Sequence, residues 1–156
     1  MAGYAALTEV YEWLMPDAKL PPAGSVAAFA DVVQSLPPNA RVLDCSRGTG
    51  QLAVGLARLG LDVVASDASS GMIRRTRELA EEHHVSLRTL QARWSELLRH
   101  LDPSTFDLVM CVGNSLTHAE GASDGVGRDV RVAAAGRTSR ADLADVGARA
   151  RQRLSA

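Results

Sequence analysis

The chain has 156 residues, of which 17 are Lys or Arg and 18 are Asp or Glu, so its formal net charge is -1, and 46% of it is hydrophobic. That length predicts one domain able to bury a core, and the balanced charge leaves no basic field with which to capture DNA or RNA. No apolar run approaches the roughly 20 residues of a spanning helix and the amino terminus lacks a signal-peptide pattern, so neither a nucleic acid nor a membrane is expected as a partner, and the predicted location is cytoplasmic.

Tyr4, Leu7, Val10, Tyr11 and Leu14 recur at helical spacing and predict a short amphipathic helix over 4–15, followed by a loop broken by Pro16, Pro21 and Pro22. Ser25 reads as the cap of a helix through Leu36, with Val26, Phe29, Val32, Val33 and Leu36 as its apolar stripe and Pro37-Pro38 as its stop. The next stretch, Arg-Val-Leu-Asp-Cys-Ser-Arg-Gly-Thr-Gly over 41–50, is a buried strand that ends in Asp44 and breaks into a glycine turn. Gly48 and Gly50 let the backbone bend sharply and approach a ligand. A largely buried helix from Gln51 to Leu59 follows, closed by Gly60.

A second strand, Leu61 to Ser66, ends in Asp67, and Ser69 or Ser70 caps a helix over about Gly71 to His83. The exposed Arg and Glu residues of that helix pair three or four apart, as on a solvated face. Val85, Leu87, Thr89 and Gln91 alternate as a third strand leading into Ala92-Arg93-Trp94, and Glu96 to Leu101 makes a short helix. Phe106 to Val112 is a fourth strand, after which Gly113-Asn114-Ser115 turns. Strands alternating with helices imply a parallel sheet. Asp44 and Asp67 then both project from its carboxyl edge, where such sheets bind ligands, and Asp67 is suited to hold paired ribose hydroxyls. Cys45 and Cys111 each end a strand and are expected close together and reduced, and no spacing favours a metal.

The run VLDCSRGTG, then VVASDAS with Met72, and later FDLVMCVGNSLTHA resembles the nucleotide-binding half of a class I S-adenosylmethionine-dependent methyltransferase. The last motif is most similar to the glycine/sarcosine N-methyltransferase group, in which Gly-Asn-Ser-x-x-His follows the fourth strand. The resemblance runs from about Tyr4 to about Ala119. It implies an α/β fold: a Rossmann-like parallel sheet with helices on both faces, here incomplete at about four strands with an atypical C-terminal tail. It divides the chain into an N-terminal helical cap (1–40), a Rossmann-like core that binds S-adenosylmethionine (41–119) and the tail (120–156).

The same resemblance assigns roles to residues. Asp44, Ser46, Gly48 and Gly50 line the methionine portion of S-adenosyl-L-methionine, Asp67 and the adjoining Ala68 meet its ribose, and Met72, Arg93 and Trp94 lie at its adenine. Val112, Gly113, Asn114 and Ser115 face the sulfonium and the methyl acceptor, with Asn114 and His118 as the catalytic candidates. Arg93 stands where the family commonly carries an acid or amide, and a guanidinium cannot accept a hydrogen bond from the adenine amine. The implied partner is a small-molecule methyl acceptor, an amine or an amino acid. Two other readings remain open: a non-catalytic Rossmann-like remnant or interaction module, and an NAD(P)-binding oxidoreductase, since Gly48 to Ala53 also fits G-x-G-x-x-G/A.

Residues 119–156 lack the bulky groups of a sheet core, because alanine, glycine and arginine make up 22 of the 38. They resemble a shifted reading frame of a GC-rich gene from about Asp124, or a flexible tail. A helix capped by Ser139 and running to Leu154 also fits the charge placement. The part of the acceptor site that the family places after the fourth strand is missing from the pattern, which leaves activity of this chain in question. The outer edge of the fourth strand is expected to be open for self-association unless the tail covers it.

Overall fold

The computed structural model describes residues 21–45, 48–112 and 131–133. Its order is α1 (Pro22–Ala27), α2 (Ala30–Gln34), β1 (Arg41–Asp44), α3 (Gln51–Arg58), β2 (Asp62–Asp67), α4 (Ser70–Glu82), β3 (Arg88–Gln91), α5 (Leu97–His100), β4 (Leu108–Cys111) and β5 (Arg131–Ala133). The strands form one sheet in the order β3-β2-β1-β4-β5. The first four are parallel, and β5 runs antiparallel beside β4.

The register explains the layering. Asp44 pairs with Ala65 of β2 and Met110 of β4, so alternate residues of the three strands point to the same side. Val42, Val63, Ala65, Leu108 and Met110 meet Val26 of α1 and Leu52, Ala53 and Leu56 of α3 on one face. Leu43, Cys45, Val64, Val109 and Cys111 meet Leu97, Leu101 and Phe106 on the other. Val42, Leu43, Val63 and Val64 have at most 1% exposure, and burying each such side chain contributes about 1.5–3 kcal/mol. Apolar faces on both sides of the sheet are why helices cover both.

The amino edge of the sheet is pinned by Arg41. Its amide donates to Asp107 Oδ2 at 2.8 Å, and the Asp107 amide donates back to the Arg41 carbonyl at 2.8 Å. Its guanidinium lies 3.3 Å from Asp62 Oδ2 and 4.9 Å from the Phe106 ring centroid. The ion pair is partly exposed on the Asp62 side and is worth about 0–1 kcal/mol, so the backbone pairing does most of the pinning.

Several expectations shift. The helix expected from Ser25 to Leu36 is two short helices, broken at Ala28 and Phe29, and Pro21 rather than Ser25 is the cap. Pro22 occupies the first turn, where its fixed φ and missing N–H cost nothing. The break lets α1 lie close on α3, where Gly55 faces the Pro22 carbonyl, while α2 buries no residue fully. Ser69 caps α4 by accepting from the Met72 amide at 3.4 Å. The edge of β4 is not open at Val109 to Cys111, because β5 from the tail pairs there. The helices expected over 4–15 and 139–154 lie outside the described residues. Among the described residues no helix is long and apolar enough to cross a membrane.

A Cβ at position 55 would lie 2.4 Å from both the Pro22 carbonyl oxygen and Val26 Cγ2. Gly55→Ala gains about 1 kcal/mol of helix propensity but forces backbone apart. We expect a net loss of about 1–2 kcal/mol, read as a melting temperature roughly 5 °C lower in a thermal scan.

Candidate functional site

The chain leaves β1 to the β2 side, continues to β3, and returns across the sheet to β4 on the other side of β1. The order therefore reverses between β1 and β4, and the crevice beyond the strand ends at such a switch is where open α/β sheets take ligands. Asp44 and Asp67 both lie at this edge. Asp67 is two register positions further out than Ala65, the partner of Asp44.

Between them is the glycine turn. Gly48 and Gly50 have φ of +53° and +89°, a region that a side chain strains, and Gly50 is the N-cap of α3. The space that a Cβ on Gly50 would need is already filled by Thr76, whose Oγ1 would be 2.7 Å away. Gly50 is thus required by helix packing against α4 as well as by its dihedrals. Gly48 carries the turn itself.

Two residues beside Gly50 are absent from the sequence-derived site. Thr49 is 2% exposed, and its Oγ1 has no hydrogen-bond partner among the described residues. Neither has Gln51 Oε1, which is also buried. An unpartnered buried polar atom costs about 1–3 kcal/mol, and these two, without a partner among the described residues, flank the same turn. The signal in the sequence is a hydroxyl residue between two glycines.

The expected site residues are not equivalent. Asp67 is partly exposed and accepts from the Ser69 amide through Oδ1, which holds its carboxylate at the β2 tip. Ala68 is exposed next to it, and its carbonyl accepts from Gln91 Nε2 at 3.3 Å. Asp44, by contrast, is fully buried at 0% exposure. It therefore presents no open carboxylate at the edge. Met72 is 1% exposed, which makes it a core side chain of α4 in this structure with no open face toward an adenine. Arg93 is exposed, and its amide donates to Glu96 Oε2 at 3.0 Å. Trp94 packs on the cluster around Leu43 and Phe106 and donates its Nε1–H to the Cys45 carbonyl at 2.6 Å. Val112 continues from β4 at the same edge. Ser46, Gly113, Asn114, Ser115 and His118 lie outside the described residues. No group of His, Cys, Asp and Glu among the described residues could hold a metal ion.

Cys45 and Cys111 are both free, buried thiols and come together at the tips of β1 and β4, as their strand positions imply. The Cys45 amide and Sγ–H both donate to the Met110 carbonyl, at 3.0 and 3.2 Å. Hydrogen bonding with the Cys111 side chain, burial, and the nearby charges of Cys111 and Asp44 push the Cys45 thiol well above its ordinary value. The thiol stays neutral at physiological pH, and thiolate chemistry is not available to it.

A family described as "Methyltransferase domain" matches residues 42–136, past Ala119, where the sequence resemblance was expected to end. The glycine/sarcosine N-methyltransferase of Aphanothece halophytica is 40% identical over 78 residues, covering 50% of this chain and 29% of the relative. The protein of the same name from Parasynechococcus marenigrum is 43% identical over 77 residues, covering 49% and 27%. These matches span less than a third of the relatives' length. The CcbJ methyltransferase of Streptomyces caelestis superposes with a TM-score of 0.56 at 29% identity, over 70% of this chain and 43% of that one.

Two outcomes follow from the thiol pair. In the native protein at pH 7.5, neither Cys45 nor Cys111 is expected to react with Ellman's reagent within minutes, whereas both react after denaturation. Because the folded state keeps Cys45 protonated while the unfolded thiol ionises near its ordinary value of about 8.5, stability is fully present below that pH and falls as pH rises above it, by at most about 1.4 kcal/mol per unit. Urea unfolding between pH 7 and 10 checks this, and Cys45→Ala is expected to flatten the slope.

Proposed function

Since the chain belongs to the methyltransferase-domain family, in the class I S-adenosylmethionine-dependent group, we propose that it binds S-adenosylmethionine across the tips of β1, β2 and β4 and presents the methyl group to a small amine or amino acid. S-adenosylmethionine is the cofactor of the family. The observation that carries the reading is the pairing, at neighbouring strand tips, of a glycine turn flanked by the buried oxygens of Thr49 and Gln51, which have no partner among the described residues, with the partly exposed carboxylate of Asp67. Thr49 and Gln51 suit ammonium donors. The Asp67 carboxylate suits paired hydroxyls.

When bound, the cofactor supplies a methyl group on a positively charged sulfonium, already activated for displacement. The chain therefore has to orient the partners, and alignment alone can lower the barrier by about 7–11 kcal/mol. Asp67 holds the ribose end, with its carboxylate steadied by the Ser69 amide. Gly48 supplies backbone beside the methionine portion, and Asp44 contributes an acidic group beneath the turn. Val112 and the following Gly113, Asn114 and Ser115 border the sulfonium and the acceptor. Asn114 and His118 are our candidates to bind the acceptor and to take its proton. An amine must be neutral to attack, and a partly dry cleft lowers its pKa in that direction.

The acceptor reading leans on the glycine/sarcosine N-methyltransferases that this chain resembles over half its length. The rival, a dinucleotide oxidoreductase, shares the glycine turn. Against it stand the family match and the Asp44 that precedes the turn.

Calorimetry and thermal melts with S-adenosylmethionine and S-adenosylhomocysteine test the proposal. At a hundredfold excess over Kd the ligand should add about 2.7 kcal/mol of stability, and NAD should add none. Asp67→Asn keeps an acceptor for the Ser69 amide and removes the charge, so affinity should fall about tenfold or more with little change in the ligand-free melt. Saturable binding of NAD, or equal affinity in Asp67→Asn, would reject the assignment.

A further inference from the structure

β1 ends at Asp44, so the Cys45–Ser46 peptide lies past the ladder, and its carbonyl needs a donor from elsewhere. Trp94 supplies one, with its indole N–H 2.6 Å from the Cys45 oxygen. The donor comes from the segment after β3, which also ties down the β2 tip. The Ala92 amide donates to the Asp67 carbonyl at 3.0 Å, and Gln91 Nε2 donates to the Ala68 carbonyl at 3.3 Å. The base of the indole is itself fixed, because the Arg93 amide bonds Glu96 Oε2 at 3.0 Å and closes the short turn Trp94–Glu96.

We infer that residues 91–94 form a brace across the tips of β1 and β2, and that Trp94 is a positioning residue: its indole N–H sets the entry of the glycine turn and thereby the shape of the cofactor cleft. The inference deepens the function proposed above and rests on it for its ligand, but the brace itself rests on the hydrogen bonds alone. Cys45 is gripped from two directions, by Met110 through its amide and thiol and by Trp94 through its carbonyl. Without the indole donor, the grip on Cys45 among the described residues comes from the β4 side alone, and its carbonyl loses the bond that orients it. This role differs from stacking on an adenine, which would use the face of the ring; the brace uses its edge.

The test separates the brace from the ligand. Trp94→Phe keeps an aromatic ring in the cluster and removes the N–H. As a closer isostere, β-(3-benzothienyl)alanine can replace tryptophan throughout a Trp13→Phe background, placing sulfur where the N–H was. Native-state hydrogen exchange of the free protein should speed up about tenfold at residues 48–52 in both variants, while amides of β1, β2 and β4 change less than threefold. S-adenosylhomocysteine should bind both about tenfold more weakly than their tryptophan-containing parents. Unchanged exchange at 48–52, or exchange that rises equally in the turn and the strands, overturns the brace and leaves Trp94 a packing residue. If the parent proteins bind no S-adenosylhomocysteine, the function proposed above fails, and the exchange result alone decides the brace.

Discussion

The parallel pairing of β1 with β2 and β4 is the constraint on which everything else rests. It aligns Asp44 with Ala65 and Met110, brings the ends of three strands to one edge, and buries both faces of the central strand. The middle of a strand so buried is apolar, as Val42 and Leu43 are. The polar work is therefore displaced to the residues just beyond the strand ends. Asp67 at the tip of β2 and the glycine turn after β1 are found there.

The two edges of the sheet use polar groups in opposite ways. At the amino edge, the Arg41 and Asp107 backbones and the Asp107 side chain bond one another while the Arg41 guanidinium lies beside Asp62 and Phe106, which closes the register. At the carboxyl edge, the Thr49 and Gln51 oxygens have no partner among the described residues, and the turn runs through two positive-φ glycines. The first edge stabilises the fold. The second costs stability that the apolar layers offset, as is common where a fold keeps a site open. Cys45 lies at the carboxyl edge too, a neutral thiol whose backbone is held by Met110 of β4 and by Trp94.

The packing of Gly50 on Thr76 shows how one residue can answer to both demands. The turn needs a residue that tolerates φ of +89°, and α4 needs a surface with no Cβ at that point. The site is thereby coupled to a helix distant in sequence. At Gly55 the same close approach is used for structure alone, to seat α1 on α3.

Strand-helix alternation, the parallel sheet, the two acids at strand ends and the closeness of Cys45 and Cys111 were all legible in the sequence, because each follows from local hydrophobic period and from the rule that parallel strands share a direction. The family, too, was legible from the residues around Asp44 and Asp67. Other features depend on contacts between segments far apart in the chain. Only the fold decides that Met72 belongs to the core, that Asp44 is covered, that the tail contributes β5 to the β4 edge, and that the indole of Trp94 reaches Cys45. Periodicity tells which face of an element is apolar, but the partner of an individual carbonyl or methyl group is set by how the elements dock, and that information exists only once they have.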